Sequence, residues 1–363
     1  MHAYIFLRAK AAFGFGWATG APFLVLFVFL VSAPVLTRLL VRHDHESAAR
    51  CIALIGFAWM GFLFFFVCLN LAVDIAAEIK RLLCWLGVEG SLPFALRGRS
   101  AFILLTVLTV AISFYSAFEA HNIRIVHVRI ATDKLPPGAK NIRIAQISDL
   151  HLGLIHRNGR TRQVANLIAK QRPDIFVSTG DMVDGKFLDN ELKHVKETVE
   201  TLREIHAPMG KFAIIGNHEY YSGLSDSIAF MRNAGFTILQ NEAVVADGAV
   251  RIVGISDSSS SRQEVGALES NADGHFTVLL KHRPEVDSAS AGKFDLQLSG
   301  HSHQGQIFPF LLLVRRVYPY SGGTYALPEG GTLHVNRGTG TWGPPMRFLA
   351  PPEITIIDLE GQS

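Results

Sequence analysis

Two kinds of hydrophobic pattern divide the chain. Ala11 to Thr37, Cys51 to Val73 and Ser100 to Phe118 contain no Asp, Glu, Lys or Arg. Each is close to or above the roughly 20 apolar residues that a helix needs to cross a bilayer. Within the second stretch, Gly56 to Phe66 is apolar on every helical face, and such a helix needs lipid or a very large core around it. Three spans are therefore expected, at about 18–40, 51–74 and 100–119.

From about Asn122 the pattern changes to short alternating or buried runs separated by amphipathic segments. Ile123 to Ile130 alternates as a strand does, and a Leu135-Pro136-Pro137-Gly138 turn follows. Apolar runs at Ile142–Ser148, Ile175–Thr179, Phe212–Ile215, Phe276–Lys281 and Asp295–Ser299 read as buried strands. Helices are expected over Arg160–Gln171, along the stripe Leu188, Leu192, Val195, Val199, Leu202 and Ile205, and over Ser222–Ala234. Strands that alternate with helices, then dominate after about Gly235, indicate an α/β domain with sheet layered between helices.

Composition sharpens this division. The 49% hydrophobic content of the 363 residues is high for a soluble protein, and the excess lies upstream of residue 122. The expected organisation is a membrane region over 1–121 and a globular domain over 122–363. Cys51, Cys68 and Cys84 all fall in the membrane region, so the downstream domain has neither a disulfide framework nor a thiolate metal site. Arg8 and Lys10 ahead of an apolar run would also suit a cleavable signal sequence, but the run is longer than a signal core and two more follow.

With the N-terminus inside, the inner flanks carry Arg8, Lys10, Lys80, Arg81, Arg97 and Arg99, and the outer flanks Arg38, Arg42, Arg50, Arg124 and Arg129. This small bias places the downstream domain on the outer, periplasmic or extracellular side of a cell membrane. Leu82–Leu96, broken by Glu89 and Pro93, reads as interfacial rather than as a fourth span. The net charge of +3 comes without a basic stripe or interleaved aromatics, so no nucleic-acid-binding surface is evident.

Five polar blocks stand at the ends of the buried strands: Asp149-Leu-His151, Gly180-Asp181-Met-Val-Asp184, Gly216-Asn217-His218-Glu219, His282, and Gly300-His301-Ser-His303. Strand ends in open α/β sheets gather groups from distant parts of a sequence into one crevice. The blocks supply carboxylate, amide and imidazole donors, the mixture that suits divalent ions such as Mn, Fe or Zn. Asp149 and His151, two apart on an extended strand end, can grip one ion from the same side. Asp181 is the candidate to bridge two ions roughly 3.5 to 4 Å apart. His2, His43, His45, His121, His127, His156, His194, His206, His275 and His334 fit no such scheme and read as surface or core residues.

With these five blocks in this order, the chain resembles the calcineurin-like metallophosphoesterases, and among them the membrane-anchored bacterial subgroup, from about Arg124 to Leu359. The resemblance implies two mixed β-sheets packed as a sandwich and flanked by helices. It further implies two divalent metal ions, one held by Asp149, His151, Asp181 and His303, the other by Asp181, Asn217, His282 and His301. His218 would be the general acid that protonates the leaving alkoxide, with Asp184 orienting its ring. The ions would lower the pKa of the attacking water.

One departure bears on substrate. Many protein phosphatases of the superfamily follow the second block with an arginine that grips a phosphomonoester dianion, whereas Gly185 and Lys186 follow Asp184 here. Arg337, or Lys281 and Arg283 beside His282, are the alternative cations for a phosphate. Phe308-Pro-Phe310-Leu-Leu-Leu-Val314, followed by Arg315 and Arg316, reads first as a buried strand; the alternative is an apolar rim with basic edges lying on the bilayer. Ser256-Asp257-Ser258-Ser259-Ser260-Ser261 reads as a mobile loop. The expectation is thus a membrane-anchored hydrolase of a phosphodiester or phospholipid-like substrate. The alternatives are a phosphomonoesterase or nucleotidase, and a non-catalytic membrane sensor that binds phosphorylated ligands.

Overall fold

A computed structural model describes residues 1–87, 98–136, 141–185, 193–270 and 272–361. The chain forms two compact units, one of Met1–Phe118 with Gly343–Met346 and the other of Glu119–Trp342 with Arg347–Ser363. The first is built on helices α1 (His2–Phe13), α2 (Trp17–Arg42), α3 (Glu46–Trp85) and α4 (Gly98–His121). The last three are long and apolar enough to cross a membrane. Their outward faces leave Val25, Val28, Val35 and Val107 exposed, as lipid-facing helices do. α1 packs Ile5 against Leu63 and Phe66 of α3 and anchors its polar side through Arg8, which pairs with Asp74 at 2.9 Å and bonds Asn70. At 40 residues α3 is about 60 Å long, so it outruns its apolar stretch and takes in Leu82–Trp85. Most of the stretch expected to lie at the interface, residues 88–96, is outside the described residues.

The second unit is a double sheet. One sheet contains β1 (Arg124–Thr132), β2 (Asn141–Ile147), β3 (Ile175–Ser178), β4 (Lys211–Ala213), β5 (Thr237–Ile238) and β12 (Glu353–Gly361), in the order β1-β12-β2-β3-β4-β5. The other contains β6 (Glu242–Ala246), β7 (Val250–Ile255), β8 (Phe276–Lys281), β9 (Leu296–Ser299), β10 (Gly323–Ala326) and β11 (Thr332–Val335), in the order β10-β11-β9-β8-β7-β6. Both are mixed: β12 runs parallel to β1 and antiparallel to β2, and β6 and β10 are antiparallel edges on otherwise parallel strands.

Alternation along each strand builds the layers. Ile142, Ile144, Val177, Phe212 and Leu359 of the first sheet meet Ile252, Val278, Leu280 and Leu298 of the second in one core. The intervening Ala145, Ile147, Phe176, Ala213 and Ile356 face the opposite way, against α5 (Asn158–Gln171), α6 (Lys193–Arg203) and α8 (Leu224–Asn233). On the far side of the second sheet, Val253, Ile255 and Leu279 pack under α9 (Ser261–Glu269) through Ala267 and Leu268. This is the helix-flanked sandwich that the sequence resemblance implies, with parallel strands delivering their C-terminal ends to one edge.

Of three local expectations, one holds and two change. The helix expected over Ser222–Ala234 forms as α8 (Leu224–Asn233), preceded across Gly223, whose φ is +109°, by a separate short helix, α7 (Asn217–Ser222). The serine run is tied down: Asp257 pairs with Arg283, Ser259 bonds Asn241, and Ser260 opens α9 in a capping box with Gln263. Phe308–Val314 is no buried strand. It is a turn followed by helix α10 (Leu311–Val317), none of whose residues is buried. Leu311-Leu312-Leu313 pairs with neither sheet, and the edge of the second sheet on that side is β10. Of the stripe expected from Leu188, the structure forms α6 from Lys193; Leu188 and Leu192 lie outside the described residues.

Candidate metal centre and active site

Backbone hydrogen bonds that continue past the strands bring the polar blocks together. Beyond β2 and β3, Asp149 N–H donates to Gly180 O and His151 N–H to Asp181 O, both at 3.0 Å, so the first two blocks lie side by side. Gly300 N–H donates to His282 O at 2.9 Å, and Gly340 N–H to Asp149 O at 2.9 Å. At these ends the chain curls inward. Asp149, His151, Asp181, His301 and His303 all adopt φ between 49° and 65°, a left-handed conformation uncommon for such residues and concentrated at functional sites. Close approach also demands Gly300, where a Cβ would overlap Ser148 Oγ and Asp149 Oδ2.

The side chains converge in two neighbouring groups. In the first, His303 Nε2 lies 3.3 Å from Asp149 Oδ1 and 3.1 Å from His151 Nε2. In the second, His282 Nε2 lies 3.2 Å from Asp181 Oδ2, 3.1 Å from Asn217 Oδ1 and 3.1 Å from His301 Nδ1. One donor atom each from His151, Asp181 and His218 also fall within 4.8 Å of one another, so Asp181 of the second group approaches His151 of the first. Asp149 and His282 are wholly buried, and Asp181, His151 and His303 nearly so.

Divalent metal fits this donor set. Donors about 3 Å apart are the spacing of neighbouring ligands on an ion with bonds of about 2.0–2.2 Å. Asp149 Oδ1 is buried without a hydrogen-bond partner, a costly state for a carboxylate oxygen that coordination would relieve. Burial lowers the pKa of His151 and of His301 to about 4, so both are neutral and free to ligate. Burial opposes charge on His282, yet Asp181 and Asp149 lift it to about 10, a measure of how strongly the carboxylates attract positive charge there. His282 Nδ1 donates to Thr179 O at 2.8 Å, which leaves Nε2 as the ligand atom.

His218 stands at the margin of the ligand groups, on the first turn of α7. Its Nδ1 is 3.0 Å from Asp184 Oδ1, and its backbone N–H donates to Asp181 Oδ1 at 2.8 Å. Burial lowers the pKa of His218, but the bond to Asp184 and the charges of Asp181 and Asp184 outweigh it and leave the ring above the ordinary imidazole value. Two exposed aromatic rings, Tyr221 and Trp342, meet His218 edge-on at 5.4 and 5.8 Å.

The three candidate phosphate cations all carry carboxylate partners. Arg337 Nε bonds Glu353 at 2.6 Å, Lys281 bonds Glu264 at 2.7 Å, and Arg283 grips Asp257 through two nitrogens.

Some supporting residues escape a reading of the sequence. The buried carboxylate of Glu219 accepts the backbone N–H groups of Asp181, Met182, Val183 and Gly216, clamping two blocks together. Burial and Asp181 raise its pKa to about 7, against those four donors. Its place in the third block was the available signal. Tyr318 Oη lies 3.0 Å from His301 Nε2, and the fully buried Arg347 bonds the carbonyls of His303, Arg337 and Gly338. Neither sits in a motif, and only the fold brings them to the ligands.

Residues 142–305 match the calcineurin-like phosphoesterase family. An uncharacterized metallophosphoesterase of Aquifex aeolicus is 37% identical over 70% of this chain and 98% of its own length. One of Campylobacter jejuni is 32% identical over 72% of this chain and 69% of its own. A bovine transmembrane protein with a metallophosphoesterase domain is 28% identical over 85% of this chain and 74% of its own, a reach greater than residues 122–363 alone can supply. The family match, the extended likeness to these relatives and the paired ligand groups agree, and the chain belongs to the calcineurin-like phosphoesterases, metal-dependent hydrolases of phosphoric esters.

Proposed function

We propose that this enzyme is a membrane-anchored, binuclear-metal-dependent phosphoesterase that prefers phosphodiesters, including phospholipid-like ones, to phosphomonoesters. The observation that carries the reading is the meeting of seven donor side chains and His218 from five strand ends. Asp149, His151, Asp181 and His303 would hold one divalent ion, and Asp181, Asn217, His282 and His301 the other. Bound, the ions supply Lewis-acid polarisation of the phosphoryl group and a water acidic enough to attack near neutral pH.

The chain's own residues do the rest. Asp184 fixes His218 through Nδ1, which leaves Nε2 to deliver a proton to the leaving oxygen, an acid contribution of roughly 10² to 10⁴-fold. Asp181, held by the His218 N–H on one oxygen, keeps acid and ligands in register. The diester preference is supported by the paired state of Arg337, Lys281 and Arg283, since a monoester dianion calls for an additional uncommitted cation. Should Arg337 contact substrate, it would do so through the guanidinium nitrogens that Glu353 leaves over. The flanking charges of the apolar helices support a domain on the outer side of the membrane.

Purified full-length protein, loaded with Mn, Fe or Zn in turn, should turn over bis-p-nitrophenyl phosphate with higher kcat/KM than p-nitrophenyl phosphate. The opposite order would replace the reading with a phosphomonoesterase.

A further inference from the structure

Helix α10 leaves a large apolar surface uncovered beside the ligand loop. Phe308 is 40% exposed, Leu312 62%, Leu313 64% and Val317 68%, and Arg315 and Arg316 occupy the last turn. Both ends of this helix are tied to the loop that carries His301 and His303. At its start Leu311 packs against Gly305, where a Cβ would meet Leu311 N and Cα at 2.5 Å. Just past its end, Tyr318 bonds His301.

A contiguous apolar face of this kind marks an interaction site rather than ordinary surface. Its chemistry selects the partner. Two arginines border the apolar residues, and no acidic residue occurs between Ile307 and Glu329. Apolar side chains with cationic neighbours are the combination that inserts at a headgroup boundary and holds anionic lipid. The chain also carries three helices suited to span a bilayer, so a lipid surface accompanies it wherever it goes.

We infer that α10 docks into the interface of a bilayer containing anionic lipid and thereby presents the metal centre to phosphoesters borne in that bilayer. The inference rests on the hydrolase reading and narrows its substrate to membrane-embedded amphiphiles. Through Gly305 and Tyr318, docking fixes the ligand loop at headgroup depth, where a lipid phosphoester reaches it without leaving the membrane.

Full-length protein with Cys51, Cys68 and Cys84 changed to alanine, and Leu313→Cys carrying an environment-sensitive fluorophore, is reconstituted in phosphatidylcholine vesicles containing phosphatidylglycerol. The emission should shift to the blue and be quenched by acyl-chain-brominated lipid, and Arg315→Glu with Arg316→Glu should weaken that quenching. Leu312→Asp with Leu313→Asp should lower turnover of a vesicle-borne phosphodiester by about tenfold while leaving soluble bis-p-nitrophenyl phosphate within about twofold. An aqueous, unquenched probe on a protein that still cleaves the soluble diester overturns the docking alone. A blue-shifted probe that bromine does not quench, together with a disulfide-linked dimer of the unlabelled Leu313→Cys protein, assigns the face to a second copy and also overturns it. Absence of diester cleavage in every form removes the hydrolase reading, while the quenching still reports on α10.

Discussion

Asp184 Oδ1 stands 3.0 Å from His218 Nδ1. This pairing raises the pKa of His218 although burial lowers it, and so keeps the ring protonated to higher pH, as the proposed acid role requires. Asp184→Asn removes the charge, the pKa falls, and the alkaline limb of the kcat/KM profile should move to lower pH. His218→Ala should lose roughly 10² to 10⁴-fold with an alkyl leaving group and much less with p-nitrophenolate, which needs no proton. Equal losses on both substrates would exclude the acid role.

Tyr318→Phe should leave the fold intact and weaken metal binding by roughly 10 to 100-fold, the usual cost of deleting a hydrogen bond to a ligating histidine. Titration of the metal-stripped protein with Zn or Mn, followed calorimetrically, measures this independently of turnover. Unchanged affinity would assign the tyrosine a packing role only.

Glu219→Ala leaves four buried backbone N–H groups without their acceptor. At about 1 kcal/mol or more for each such group, the loss should exceed about 3 kcal/mol and lower the thermal midpoint of the detergent-solubilised protein by several degrees. An unchanged midpoint would show that the clamp is dispensable.

Glu353, buried in β12, accepts from Arg337 at 2.6 Å and meets His334 at 3.1 Å. Burial raises its pKa, but His334 and Arg337 together hold it below the ordinary carboxylate value. A depressed folded-state pKa means that this stabilisation is complete above the unfolded value and is lost as pH falls through the folded one. Melting temperatures recorded downward from pH 5 should therefore fall faster for the parent than for Glu353→Gln. Glu353→Ala, which strips a partner from Arg337 in a buried setting, should cost roughly 3–5 kcal/mol at neutral pH. Parallel pH curves for parent and Glu353→Gln would contradict this account.

Period and punctuation were sufficient for most elements. The runs at Ile142, Ile175 and Phe276 are strands because their alternate residues must satisfy two different apolar layers, and such runs have few other solutions. Phe308–Val314 misled for the same reason in reverse: an apolar run looks identical whether buried in a sheet or turned outward as α10, and only the folded chain separates the two.

Amino-acid order by itself determined the apolar helices, the alternation of strands and helices, and the identity of the donor side chains, because these depend on neighbours a few residues away. The left-handed turns at Asp149, Asp181 and His303, the clamp of Glu219 across two blocks, the pairing of Arg337 with Glu353 and the approach of Tyr318 to His301 were decided only by the folded chain. Each joins groups far apart in sequence, and the energy that selects it comes from burial and backbone pairing that exist only once both sheets have closed on one another.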